Sequence, residues 1–108
     1  MLTPDEARGP ARPFVSITRT DAELSVVCPE GAVPPGVRAE RGWRCLRVVG
    51  PLGFGMTGVL ASLAGPLSSS GVSIFVVSTY DTDYLMVQER DLGRAVDALA
   101  RAGHAVSR

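Results

Sequence analysis

The run Arg44-Cys-Leu-Arg-Val-Val-Gly-Pro-Leu-Gly-Phe-Gly-Met-Thr-Gly58 decides how this chain folds. Trp43 to Val49 reads as a strand, four glycines and a proline then interrupt regular structure, and a helix follows from about Thr57 to Ser69. The helix is marked by Leu60, Leu63, Ala64 and Leu67 at i, i+3, i+4, i+7 spacing. A strand, a glycine-rich turn and a helix start, in that order, leave unpaired backbone N–H groups and the positive end of a helix dipole at the strand tip. A small anion, carboxylate or phosphate, fits there, and Gly53, Gly55 and Gly58 carry no Cβ to keep it from the backbone. A tight turn with no ligand is an equally physical use of the same glycines. The spacing Gly53-x-Gly55-x-x-Gly58, with Asp81 downstream, also matches the dinucleotide fingerprint. That reading is set aside, because 108 residues do not supply the further βαβ units such a fold needs.

Outward from this run the pattern continues. Pro66 lies inside the helical stripe, where a missing N–H costs about 3 kcal/mol, and predicts a kink or restarted turn. Gly71 ends the helix, Val72 to Thr79 is a β-branched strand, Tyr80-Asp-Thr-Asp83 turns, and Tyr84 to Gln88 returns. Asp91 is a candidate N-cap for a helix with Leu92, Val96 and Leu99 on one face and an Asp97–Arg101 pair outside. Gly103 stops it, and His104 to Val106 can add a short edge strand. Upstream, Phe14 to Thr20 and Glu23 to Cys28 alternate as two strands of a hairpin around Thr20-Asp-Ala22. Residues 29–42 are a proline- and glycine-rich loop with a few extended residues near Val37. Residues 1–13, with three prolines and mixed charge, read as a flexible lead-in.

The order over 43–106 is βαββαβ, which packs two helices on one face of an antiparallel sheet. The expected fold is therefore α+β and ferredoxin-like, with additional N-terminal strands. The expected divisions are a lead-in over 1–13, strands and a loop over 14–42, and the main domain over 43–108.

Composition narrows the functions open to this chain. Eleven arginines and eleven acidic residues cancel without forming a run of either sign, which argues against a nucleic-acid partner. No stretch is apolar for long enough to span a bilayer, and the N-terminus lacks a signal-peptide core, so no membrane partner and a cytoplasmic location are expected. Cys28 and Cys45 sit in separate apolar stretches and read as buried free thiols, with no metal or other cofactor implied. The only histidine, His104, lies far from the glycine-rich run and reads as a surface residue. No nucleophile with a nearby base forms a recognisable motif, so catalysis is not expected.

Three segments carry a family resemblance. Gly50-Pro-Leu-Gly-Phe-Gly-Met-Thr-Gly-Val-Leu-Ala-Ser-Leu-Ala-Gly-Pro-Leu67 and Ser73-Ile-Phe-Val-Val-Ser-Thr-Tyr-Asp-Thr-Asp-Tyr84 resemble ACT-domain proteins of the aspartate-kinase-like and CASTOR type. Ser16 to Glu30 resembles the N-terminal ACT-like half of small bacterial members, so residues 14–42 correspond to a partial second ACT-like unit. The resemblance implies a non-catalytic regulatory sensor that binds a free amino acid at an interface between ACT units. Carried over position by position, it implies ligand contacts from Gly53, Met56, Gly58, Val59 and Leu60 and from Thr79, Tyr80, Thr82 and Asp83. Arginine-binding relatives carry acidic residues where this chain has Gly55 and Met56, which turns the expectation toward an uncharged side chain. A homodimer is also expected, since the first unit is incomplete.

The chemistry of a free amino acid suits these positions. Amide groups around Met56 to Gly58 can take the carboxylate, Asp83 can take the ammonium, and Met56, Val59, Leu60 and Tyr80 leave an apolar side-chain pocket. Each residue also has a structural reading: Val59 and Leu60 as core, Asp81 and Asp83 as turn residues, Tyr80, Tyr84 and Trp43 as packing on the sheet. A ligand-free module that pairs two chains is the alternative function.

Overall fold

The structure is a computed structural model that describes residues 2–4, 14–48 and 58–106. Eight regular elements run in the order β1 (Leu2–Pro4), β2 (Ser16–Arg19), β3 (Leu24–Val27), β4 (Trp43–Val48), α1 (Val59–Ser69), β5 (Ile74–Ser78), β6 (Asp83–Gln88) and α2 (Leu92–Arg101). From β4 onward they follow the expected βαββα order, and the fold is α+β and ferredoxin-like. Four strands form an antiparallel sheet in the order β1-β4-β6-β5, while β2 and β3 form a separate hairpin. The last strand of the pattern is reduced to a single bridge at Val106, whose side chain packs against the core.

Register assigns the two faces. Leu46 pairs with Leu85, Arg44 with Val87 and Val76 with Leu85, so these positions share one face. Leu46, Val48, Leu85 and Val87 on that face meet Leu63 and Leu67 of α1 and Ala95, Ala98 and Leu99 of α2 in a continuous buried core. Full burial of each Leu or Val stabilises by roughly 1.5–3 kcal/mol. Trp43, Cys45, Arg47, Phe75, Val77, Tyr84 and Met86 occupy the face away from the helices. There the Trp43 and Phe75 rings meet edge-on at 4.7 Å, and Phe14, just ahead of the hairpin, lies 4.7 Å from the Tyr84 ring.

Both helices end by the same device. Val72 N–H donates to the Leu67 carbonyl and Gly71 N–H to Ser68, while at the end of α2 His104 N–H donates to Leu99 and Gly103 N–H to Ala100. These pairs are Schellman closures, and they need a left-handed residue that Gly71 (φ 73°) and Gly103 (φ 97°) supply without a Cβ penalty.

Several expectations are corrected. Within the expected lead-in, Leu2–Pro4 is a strand: Leu2 lies opposite Val48 and Pro4 opposite Leu46, on a sheet edge where a proline's missing donor costs no ladder bond. Helix α1 runs unbroken through Pro66. The carbonyl that Pro66 leaves without a helical donor, that of Ser62, accepts a hydrogen bond from His104 Nε2 at 3.0 Å. His104 is thus half-buried and engaged rather than a bystander at the surface. Asp91 does not cap α2 with its side chain. Its buried carboxylate accepts from Arg94 Nη2 at 2.8 Å, and Arg94 Nη1 donates to the Ser70 carbonyl, so the charge ties the start of α2 to the end of α1. Asp97 and Arg101 are exposed, and no ion pair joins them among the described residues. Leu60 falls off the buried stripe, and Val59 packs against the core in its place. Neither Cys28 nor Cys45 is in a disulfide, and both are only half-buried. Residues 29–42 are the expected loop, with a helical turn at Glu30–Ala32 and a tight turn closed by Val37 N–H to Pro34.

Candidate functional site

Antiparallel pairing of β4 with β6 and of β6 with β5 makes β4 and β5 parallel, joined by α1. The C-terminal ends of β4 and β5, the start of β6 and the N-terminus of α1 therefore meet at one end of the sheet. This is the end toward which the glycine-rich run leads. Gly53 and Met56 lie outside the described residues, as do the other positions of 49–57, and the geometry begins at Gly58.

Gly58 starts α1 in the left-handed conformation, φ 76° and ψ 0°, and as a glycine it brings no side chain to cap the first turn. A Cβ at Gly58 would meet nothing within 4 Å, so glycine is required by the backbone angle rather than by crowding. The Gly58 carbonyl accepts the first helical bond, from Ser62 N–H at 2.9 Å. The amides of Val59 and Leu60, which precede that bond, belong to the group every helix leaves unpaired at its start. Val59 packs on the core and Leu60 is exposed beside it.

The turn between β5 and β6 is held from within. Thr79 N–H donates to the Thr82 carbonyl at 2.8 Å, and Thr82 N–H donates to the Thr79 hydroxyl at 3.3 Å. The Thr82 hydroxyl is buried and donates to the Val48 carbonyl at 2.6 Å, which fastens the turn to the last described residue of β4. Thr82 is therefore committed to positioning the turn. Tyr80 stands at its tip, 81% exposed, and does not pack on the sheet.

Asp83 opens β6, opposite Ser78, and its Oδ1 accepts the Ser78 hydroxyl at 2.6 Å. Alternation along β6 places Asp83 with Leu85 and Val87 on the helix side of the sheet. The carboxylate and the start of α1 thus occupy the same layer at the same end. Ser78 was not singled out in the sequence, although hairpin pairing across the Tyr80 turn brings it opposite Asp83. Among the described residues, Gly58, Val59, Leu60, Thr79, Tyr80, Thr82 and Asp83 all belong to this one end. No group of three or more His, Cys, Asp or Glu positioned to hold a metal occurs among the described residues, nor does a helix long and apolar enough to cross a membrane.

A strand-to-helix crossover, a hairpin whose turn returns to the crossover, and a second helix on the same face define a class of small regulatory fold. The ACT domain family model matches residues 38–101, more than half of the chain, and the chain belongs to that family. A second family model, that of an N-terminal domain, matches residues 9–36, the segment holding the hairpin.

The relatives sharpen this placement. The chain is similar to the Mus musculus cytosolic arginine sensor for mTORC1 subunit 1, at 35% identity over 89 residues that make up 82% of this chain and 26% of the sensor. It is 40% identical to the Rattus norvegicus protein of the same name over 60 residues, 55% of this chain and 18% of that one. The chain thus spans about a quarter or less of these relatives. Among solved structures, an Agrobacterium tumefaciens protein matches at 50% identity with a TM-score of 0.82, over 87% of this chain and 70% of that one. A Vibrio cholerae protein of unknown function shares the fold at 24% identity and a TM-score of 0.66, over 78% and 65% of the two chains.

Proposed function

We propose that this protein is a non-catalytic regulatory module that binds a free amino acid at the end of the sheet where α1 begins, and that acts as a homodimer in the cytoplasm. The observation that carries the reading is the placement of Asp83 on the helix side of β6, in one layer with the start of α1. An amino acid carries an anion and a cation a few ångströms apart. Helix-start amides together with those of the glycine-rich run answer the carboxylate, and Asp83 answers the ammonium. Leu60 and Tyr80 offer exposed apolar surface at the same end, beside Val59 on the core edge, which favours an uncharged side chain. Gly53 and Met56 would contribute from the glycine-rich run, Thr79 from the turn, and Thr82 by holding that turn in place. The mouse relative is named an arginine sensor, which supports amino-acid sensing as the class of activity.

A second reading has its own support. The Ser78–Asp83 and Thr82–Val48 bonds satisfy much of the polar chemistry of this end internally, as a ligand-free pairing module would.

A melting-temperature screen against the twenty amino acids separates the two. Binding at a hundredfold excess over Kd adds about 2.7 kcal/mol of stability, which for a domain of this size raises Tm by many degrees. One or a few amino acids should do so. Asp83→Asn keeps an acceptor for Ser78 while removing the charge, and should lose that shift with little change in the unliganded Tm. No shift from any amino acid leaves the pairing module as the function.

A further inference from the structure

Ser78 and Thr79, consecutive hydroxyl residues where β5 meets its turn, are used differently. Thr79 commits its hydroxyl to the turn, donating to the Thr82 carbonyl at 3.2 Å and accepting from the Thr82 N–H at 3.3 Å. Ser78 donates to Asp83 Oδ1 at 2.6 Å and makes no other side-chain hydrogen bond among the described residues. The direction of that bond is fixed, because an ionised carboxylate only accepts. Its length falls in the range of about 2.5–2.7 Å for a hydroxyl donating to a charged acceptor. Having given its one proton to Oδ1, Ser78 Oγ has only lone pairs left to offer. Asp83 Oδ2 is likewise without a donor, and Asp83 forms no ion pair, among the described residues. Register sets Ser78 opposite Asp83, so both lie on the helix side of the sheet at the end where α1 begins. Ser78 is exposed and Asp83 half-buried, which leaves the pair within reach of a solute.

We infer that Ser78 is a second holder of the bound amino acid's ammonium and makes the site selective for a primary ammonium over a secondary one. The inference rests on the amino-acid site in the reading above and adds to it a contact from β5. A lone hydroxyl is ambivalent toward ligands, since it donates as readily as it accepts. Asp83 removes that ambivalence: with the proton held on Oδ1, the pair presents acceptors alone, and a primary ammonium has three N–H groups to meet them. One nitrogen can then donate to Asp83 Oδ2 and to Ser78 Oγ together. A carboxylate finds no donor here and is repelled by the Asp83 charge. The pair therefore also sets the direction of a zwitterion, ammonium toward β5 and β6 and carboxylate toward α1. Replacing one N–H by a methyl group leaves one of these acceptors facing carbon, which a site built around N–H donors penalises. A single cross-strand pair at an exposed strand end adds little to folding, so removal of Ser78 is read in binding rather than in melting.

Isothermal titration of the full chain tests this, with each primary amino acid that raises its melting temperature and with the N-methyl derivative of the same amino acid. The N-methyl form keeps the charge and loses one N–H. Wild type should bind the unmethylated form at least about tenfold more tightly. Ser78→Ala should weaken the unmethylated form about tenfold and the N-methyl form by much less, so that the preference collapses. Ser78→Thr keeps the hydroxyl and should restore it. General damage to the hairpin would weaken both forms alike and lower the unliganded Tm, so the two causes separate. Unchanged affinity in Ser78→Ala, equal weakening of both forms, no recovery in Ser78→Thr, or a melting shift from proline alone overturns the role of Ser78 and leaves the amino-acid site standing. No melting shift from any of the twenty amino acids overturns that site, and the role of Ser78 with it.

Discussion

At the scale of single residues, two polar contacts repair what the local sequence breaks. Pro66 removes the donor that should close onto the Ser62 carbonyl, and at this exposed position a replacement hydrogen bond contributes about 0.5–1.5 kcal/mol net. His104, forty-two positions away, fills the gap. Donation to a carbonyl requires the proton on Nε2, so the contact selects that tautomer of the neutral ring and survives when the ring is charged. His104→Ala should lower unfolding free energy by about 1 kcal/mol. In a Pro66→Ala background the helix regains its own donor, and the same His104→Ala should cost much less. A urea-denaturation double-mutant cycle measures the difference, and additive effects would show that the two residues are uncoupled. Thr82 makes the second repair, giving the Val48 carbonyl a donor where β4 hands over to the glycine-rich run.

At the scale of elements, the start of α1 is set by conformation and the start of α2 by charge. Gly58 has open space around its missing Cβ, so Gly58→Ala meets no clash and its cost is that of a left-handed backbone, about 1 kcal/mol. Thermal unfolding should show that modest loss; a loss of several kcal/mol would mean that the glycine also faces a neighbour. The Asp91–Arg94 pair works differently, because it joins two helices rather than capping one. Asp91 is buried, whereas the Arg94 side chain is 53% exposed, which reduces what the ion pair alone contributes. Its structural value lies in the shared hold on Ser70, which fixes the end of α1 against the start of α2.

At the scale of the whole molecule, β1 supplies the strand beside β4 that the reduced C-terminal bridge leaves room for. A sheet edge without that strand presents an open ladder of N–H and C=O groups. A chain beginning at residue 14 should therefore melt lower and aggregate more readily than the full chain, with light scattering during a thermal ramp as the readout. Equal melting and scattering would show that β4 does not depend on Leu2–Pro4.

Periodicity and punctuation were legible in the linear order of residues. Strand alternation, the i, i+3, i+4 stripe of α1, and Gly71 and Gly103 at the helix ends are set by neighbours a few positions apart, and βαββα followed from them. Local pattern could not show that Pro66 would be accommodated without a break, that Asp91 would bind Arg94 and serve Ser70 rather than cap a helix, or that Leu2–Pro4 would join the sheet. Each of those outcomes depends on a group many residues away whose position exists only once the layers have packed. The candidate site divides in the same way. Glycines and the Thr-Tyr-Asp-Thr-Asp turn marked which segments to examine, and strand register decided that Asp83 faces the helix layer while Thr82 turns its hydroxyl to Val48. Side-chain identity is a property of the chain, but direction follows from pairing, and pairing is fixed only by the assembled sheet.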